Sequence, residues 1–360
     1  MLDQYYSDKL DATQAKEKLQ ELTFYPMMFQ AARVLLNSGV LDLVFQHRKK
    51  GISASDISKE LNLTHYGVNT LLENGLTVGL VYLKKETKEV YKITKMGYML
   101  LTDKASQVNL HFTHDICYNA LFHLDESIEN YEAVGLKEIG IDDDTIYPHL
   151  SKLPEPLKTS WFDFDHYYSD NAFPTALKVI FDENPPKHML DIGGNTGKWS
   201  MKCCGYNSDI KMTIVDLPGQ VDKAKLNIAE HGLSDRIDCI SQNILEEDVT
   251  LPKADAVWMS QFLDCFSEDQ IEAILRNISN AMSENTTIYI METFWDRQES
   301  PAAAYSLTAT SLYFTAVANG NSKMYHSKDF YTIIEKLGLK VVKDIDKIGD
   351  FHTILALQKA

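Results

Sequence analysis

Hydrophobic residues recur with two different periods along the chain, and the change of period divides it. Through residues 1–100 the spacing is mostly helical. Pro26-Met-Met-Phe-Gln-Ala-Ala-Arg-Val-Leu-Leu sets its apolar side chains on one helical face and stops near Asn37-Ser-Gly39. Ser53 is placed to cap a short helix, and Asn62-Leu-Thr leads into another through Leu71, Leu72 and Leu76. Val78–Leu83 and Glu89–Thr94 alternate as strands do, joined by the charged turn Lys84–Lys88. Helix, helix, helix, hairpin is the order of a winged helix.

Residues 101–185 predict helices that join two domains and carry substrate-pocket side chains. Aromatic and histidine residues cluster at Phe112, His114, Tyr118, Phe122 and His123, and again in Trp161–Tyr168. Between the clusters, Gly140–Pro148 reads as a loop whose three aspartates form a solvated turn and not a metal site. From Lys187 strands alternate with helices. His188–Gly193, Asp209–Asp216, Ile237–Ile240, Ala254–Met259 and Thr287–Glu292 predict five strands, with helices through Ala224–His231 and Ile271–Met282. The fold class expected for residues 186–360 is α/β: a Rossmann-type, doubly wound, mostly parallel sheet, with ligands outside the carboxyl ends of its strands.

Charge and cysteine usage narrow the function classes. The net charge is −16: the first hundred residues hold 13 basic and 11 acidic side chains, the remainder 22 and 40. So acidic a main domain repels nucleic acid and anionic membrane and favours a small-molecule substrate. Thr64–Leu80, where a winged helix would read DNA, contains no Lys or Arg, so this region reads as a packing and dimerisation module. No run approaches the roughly 18 apolar residues of a membrane span, and the polar opening MLDQYYSDKLDATQAKEKLQ predicts no export signal. The five cysteines show neither CxxC pairs nor zinc spacing, which fits a reducing cytoplasm and no metal.

The segment that points to chemistry is Leu190-Asp191-Ile192-Gly193-Gly194-Asn195-Thr196-Gly197. Glycines between a strand and a helix let a ligand approach the backbone closely. Nicotinamide and flavin enzymes use such turns too, but Asp191 stands at the strand end, where nucleotide phosphates would be repelled. The ammonium and sulfonium of S-adenosylmethionine suit a carboxylate there. Asp216 ends the next strand, where its carboxylate can accept both ribose hydroxyls.

Asp-Ile-Gly-Gly-x-Thr-Gly, then Val215-Asp-Leu-Pro218, then Phe262-Leu-Asp-Cys-Phe-Ser-Glu268 together resemble the class I S-adenosylmethionine-dependent O-methyltransferases of the plant caffeate and bacterial polyketide-antibiotic type. The resemblance covers nearly the whole chain, because those enzymes also begin with a winged-helix-like dimerisation domain. It implies a homodimer whose interlocking helices carry Tyr25, Met28, Phe29 and Ala32, and a small aromatic or polyketide-like acceptor. It implies Gly193 beside the methionine part of the cofactor, Asp216 on the ribose and Leu217 beside the adenine. Asn243 falls where the family meets the adenine amine, and Ser260 where it usually has Lys. Ile244 and Tyr168 are assigned to the cofactor site with them.

The sequence departs from the family where the acceptor reacts. The family reads Leu-His-Asp-Trp, with the His as general base; here the segment is Leu263-Asp264-Cys265-Phe266, which puts Asp264 in the place of the base. Glu292 matches the family's first supporting Glu, the second falls at Met324, and Asn319 matches the Asn near the acceptor. Phe112 and His114 are assigned to the acceptor pocket beside them. An ordinary Asp, with a pKa of about 3.9, is a poor base for a phenol at about 10, but burial beside Glu292 would raise it. The residues leave several readings open: Asp264 as a retuned base or hydroxyl-orienting acceptor, Asp264 as a charge at the start of the next helix, methylation of an electron-rich ring carbon, or a cofactor-binding regulator without catalysis.

Overall fold

The computed structural model describes residues 5–87, 89–246 and 249–360. The first four residues of the polar opening and Lys88 of the predicted turn lie outside them. The chain forms two compact units, Asp3–Thr113 and His114–Ala360.

The N-terminal unit runs α1 (Ala12–Asn37), α2 (Val40–Gln46), β1 (Ile52–Ser53), α3 (Ala54–Glu60), α4 (His65–Thr77), β2 (Val81–Leu83), β3 (Val90–Ile93), α5 (Lys95–Thr102) and α6 (Lys104–Phe112). β2 and β3 pair as an antiparallel hairpin, and β1 adds to the far side of β3. Ser53 caps α3 as expected, its hydroxyl accepting the Asp56 amide, and Thr64 caps α4 in the same way. α1 begins fourteen residues before Pro26, because Asp11 and Gln14 form a reciprocal capping box at its start. Leu35, Val40, Leu41, Val44, Ile57, Val68 and Leu72 make the core of this unit, whereas Leu19, Leu22, Phe24 and Met27 on α1 are exposed.

The C-terminal unit opens with short helical turns and α7 (Leu124–Asn130), then the long α8 (Leu157–Phe181). There follow β4 (His188–Ile192), α9 (Lys198–Tyr206), β5 (Lys211–Asp216), α10 (Pro218–Glu230), β6 (Ile237–Ser241), β7 (Ala256–Ser260), α11 (Glu268–Ala281), β8 (Thr287–Glu292), α12 (Pro301–Tyr313), α13 (Ser327–Lys336), β9 (Leu339–Ile348) and β10 (His352–Lys359). The sheet order is β6-β5-β4-β7-β8-β10-β9; the first five strands are parallel, and β10 enters antiparallel between β8 and β9. The five predicted strands form, and the order reverses at β4, which makes the sheet doubly wound.

Apolar side chains leave this sheet on both faces, as expected of parallel strands covered by helices on each side. Met189, Met212, Ile214, Trp258 and Met291 pack under α8, α9 and α10, while Leu190, Val215, Val257, Met259 and Ile290 pack under α11 and α13. The alternation sends Asp191 to the α9 face, so the strand that anchors the core also carries a carboxyl to its own end. Among the described residues no single helix is long and apolar enough to cross a membrane.

Candidate active site

The carboxyl ends of β4, β5 and β7 converge where the strand order reverses, the position at which open α/β sheets bind ligands. Gly193 follows β4 at φ 71, and its N–H donates to the Val215 carbonyl at 2.9 Å, which locks the turn to the end of β5. A Cβ on Gly193 would fall 2.2 Å from the Phe262 ring, and one on Gly194 2.9 Å from Asp191 Oδ2. Glycine is therefore required twice, for backbone conformation and for close approach.

Asp191 is buried, and its Oδ2 accepts the Ser200 hydroxyl of α9 at 2.6 Å. Burial pushes its carboxyl up to about 7, with the nearby Asp216 adding to the rise and the Ser200 bond opposing it. Asp216 accepts the Asn195 amide through Oδ2 at 2.8 Å and the Leu217 amide through Oδ1 at 2.7 Å. It thus shapes the glycine turn and the start of α10 together. Each of its oxygens retains a second lone pair, which is what a ribose diol needs. Leu217 is half-buried beside it. Asn243 is exposed, with Oδ1 accepting the Leu245 amide at 3.1 Å, and Ile244 is buried in the core beneath.

Behind the turn lies a recess of about 100 Å³, walled by Asp191, Gly193–Thr196, Ser260 and Gln261, with α8 presenting Asp165, His166 and Ser169. Trp199 and Trp258 stack at 4.2 Å and also line it. The amide oxygens of Asn195 and Gln261 are buried there without a hydrogen bond. Tyr168 does not line the recess; its ring packs on Phe164, Tyr167 and Phe351. A larger surface cleft of about 630 Å³ lies at the opposite end of the sheet, by Pro186, Asp255 and Thr287 at the strand starts, away from all these groups.

Next to the recess, the segment after β7 is held from several sides. Glu292, at the end of β8, accepts the Phe262 and Leu263 amides through Oε1 at 3.0 and 2.8 Å. Asn319 Nδ2 donates to the Cys265 carbonyl at 2.6 Å, and the Tyr325 hydroxyl donates to the Phe266 carbonyl at 2.6 Å. Met324 is buried, its sulfur accepting the Thr293 hydroxyl at 3.4 Å. Asp264, Glu292, Asn319 and Met324 are thus brought together. Glu292, assigned with Asp264 to catalysis on the family pattern, and Asn319 both hold the backbone around Asp264.

Asp264 is buried, and burial raises its carboxyl to about 7, with Asp165 pushing in the same direction. Glu292 is driven well above the usual carboxylate range by burial and by Asp264, and its Oε2 has no hydrogen-bond partner. Burial thus favours the protonated form of both acids. The Tyr147 phenol and the Cys265 thiol lie near Asp264 and the Tyr313 phenol near Cys265 and Asp165, all pushed upward by burial, and Trp161 Nε1 donates to Tyr313 Oη at 2.8 Å.

His114 pairs through Nδ1 with Asp115 at 2.8 Å, and Asp115 accepts the Ser160 hydroxyl of α8. Phe112 is buried at the end of α6 in the N-terminal unit. Sequence reasoning missed Asp165, Gln261, Tyr147 and Tyr313. For Asp165 a signal existed, a charge within the Trp161–Tyr168 aromatic run. Gln261 announces itself only through its left-handed backbone, φ 46.

Residues 174–340 match the O-methyltransferase domain family, and residues 16–88 the Dimerisation2-like domain. The L-tyrosine C(3)-methyltransferase of Streptomyces lavendulae is 23% identical over 89% of this chain and 86% of its own length. Among solved structures, the S-adenosylmethionine-dependent methyltransferase SibL superposes with a TM-score of 0.72 at 20% identity, covering 95% of this chain and 98% of SibL. Human N-acetylserotonin methyltransferase, crystallised with S-adenosylmethionine, gives 0.67 at 17% identity over 98% of this chain and 99% of its own. These structural likenesses show the fold.

Proposed function

Since the chain belongs to the S-adenosylmethionine-dependent O-methyltransferase family, we propose that it methylates a hydroxyl on a small aromatic acceptor, with Asp264 as the group that takes or orients the hydroxyl proton. The observation that carries this reading is the buried Asp264 carboxyl, held up to about 7 on a segment whose backbone Glu292 and Asn319 fix. An acid tuned to neutral pH is a far better match to a phenol than an ordinary aspartate.

The residues present fit the cofactor. Gly193 and Gly194 line the recess, Asp216 keeps acceptors for a diol, and Asn195 and Gln261 hold unused amide oxygens there. When bound, S-adenosylmethionine supplies an activated methyl on a positively charged sulfur. The protein's share is alignment, because an in-line displacement on so good a leaving group gains most from proximity and orientation. Glu292, Asn319 and Tyr325 fix the backbone of residues 262–266.

A second reading, methylation of a ring carbon, is favoured by the carboxyl in place of the family's His and by the likeness to a tyrosine C(3)-methyltransferase along most of the chain. Deprotonating a ring hydroxyl would then activate the adjacent carbon, and Asp264 serves both outcomes. Incubation with methyl-labelled S-adenosylmethionine and a panel of phenols, followed by mass spectrometry and NMR of the product, decides between oxygen and carbon. Failure of every phenol to take up label would remove the aromatic-hydroxyl reading.

We further infer a cytoplasmic homodimer. The Dimerisation2-like match, the winged-helix order of α2, α3, α4 and the β2–β3 hairpin, and the exposed apolar side chains of α1 support the dimer. The five free cysteines support a reducing compartment.

A further inference from the structure

The recess behind the glycine turn presents hydrogen-bond acceptors on its turn and α8 walls, with the unpaired indole N–H donors of Trp199 and Trp258 also lining it. Asp191 enters from the end of β4 and Asp165 from α8. Asn195 Oδ1 and Gln261 Oε1, on the same walls, are buried and accept nothing. Lys198, which also lines the recess, is paired with Asp170 at 2.6 Å. The charged and titratable groups that act on Asp165 are His166, Lys198, Asp170 and Asp264.

Two carboxyls and two unused amide oxygens around one small space suit a group with a positive charge and several N–H donors. A thioether or a second carboxylate would leave those acceptors unpaired, at the desolvation cost of each. The cofactor carries such a group in its amino-acid tail. With the ribose at Asp216 on β5, that tail is left for the neighbouring strand ends, β4 and β7, which border the recess.

We propose that Asp165 binds the α-ammonium of S-adenosylmethionine, and that the amide oxygens of Asn195 and Gln261 take its remaining N–H groups. The assignment rests on the cofactor reading above and names a residue that the glycine motif does not contain. It also explains why α8 presents a carboxylate to the recess from within an aromatic stretch, where a hydrophobic residue would pack with less desolvation cost.

The test is calorimetric binding of three adenosyl ligands to Asp165→Asn, which keeps the shape of the side chain and removes its charge. S-adenosylmethionine and S-adenosylhomocysteine both carry the ammonium, and methylthioadenosine lacks the amino-acid tail. The expected result is affinity about 10- to 100-fold weaker for the first two and unchanged for methylthioadenosine, the range of a lost hydrogen bond to a charged group. Unchanged affinity for all three overturns the proposal. So does equal weakening of all three, or weakening of S-adenosylmethionine alone, which would place Asp165 at the sulfonium. Asp216→Ala separates the premise from the proposal, because it is expected to weaken all three. If it binds all three as the wild type does, the cofactor reading itself fails, whatever Asp165→Asn does.

Discussion

The carboxyl of Glu292 accepts the Leu263 amide at 2.8 Å, so the acid at the end of β8 sets the position of the residue that follows, Asp264. The same oxygen also holds the Phe262 amide at 3.0 Å. One side chain therefore ties two parallel strand ends together under the candidate base.

Glu292→Gln is expected to fold and to retain activity within about tenfold, because an amide oxygen can still accept both N–H groups. Glu292→Ala leaves two buried amides unpaired, at a cost on the order of 1–3 kcal/mol each. It should lower the thermal midpoint and turnover while leaving the affinity for S-adenosylmethionine unchanged. Thermal melts and calorimetry on the two variants check this; equal turnover in Glu292→Ala and the wild type contradicts it.

Cofactor affinity should depend on pH with a definite sign. Burial holds Asp191 up to about 7 and also raises Asp165 and Asp216, so below neutrality the site meets a cationic ligand with protonated acids. A bound cation favours the ionised carboxylates, lowers their pKa values and expels protons. Affinity should therefore tighten as pH rises through about 7, with proton release visible in buffers of different ionisation enthalpy. A dissociation constant that is flat or rises across that window is inconsistent with this electrostatic account.

Leu22 is 59% exposed and Met27 67% exposed on α1, beside Leu19, Phe24 and Tyr25. So many large apolar side chains left exposed on one helix mark an interaction surface. Light scattering should give a dimer at micromolar concentration, and Leu22→Asp with Met27→Asp should give a folded monomer. A monomeric, fully active wild type would rule out the dimer.

What the sequence made legible, and what it hid, follows from the reach of each interaction. The turn built by Asp191, Gly193 and Asp216 was readable because a strand-to-helix glycine turn is a local feature of fixed spacing, and it lies at the ends of adjacent strands β4 and β5. Asp264 was found through the family pattern, but its partnership with Glu292 spans two strands, and the backbone role of Glu292 needed coordinates. Asp165 lines the recess and Tyr168 does not, and because aromatic residues run through this part of α8 periodicity does not say which face looks at it. Asp11 and Gln14 announced the start of α1 locally, yet Pro26 reads as a helix start by the same local rules. β9 and β10 went unread because the apolar run Ile354–Leu357 does not alternate; it is buried on both sides between β8 and β9.

Asp216→Ala should weaken S-adenosylmethionine binding by about 10- to 150-fold, since it removes the diol acceptor and releases the Asn195 and Leu217 amides. Its fold should persist, because the strand core of β5 is apolar and independent of this side chain. Circular dichroism together with calorimetry separates the two effects.

The central claim is that Asp264 serves the acceptor and not the cofactor, and Asp264→Asn tests it most directly. The measurement is transfer from methyl-labelled S-adenosylmethionine to an acceptor identified by mass spectrometry, followed against pH, with cofactor affinity measured on the same preparation. The wild-type rate should rise with pH through about 7, as the raised carboxyl ionises. Asp264→Asn should bind the cofactor as the wild type does, turn over about 10²- to 10⁴-fold more slowly, and lose that pH dependence. Wild-type turnover with the same pH profile in Asp264→Asn would contradict the claim and leave Asp264 as a buried acid in the turn before α11.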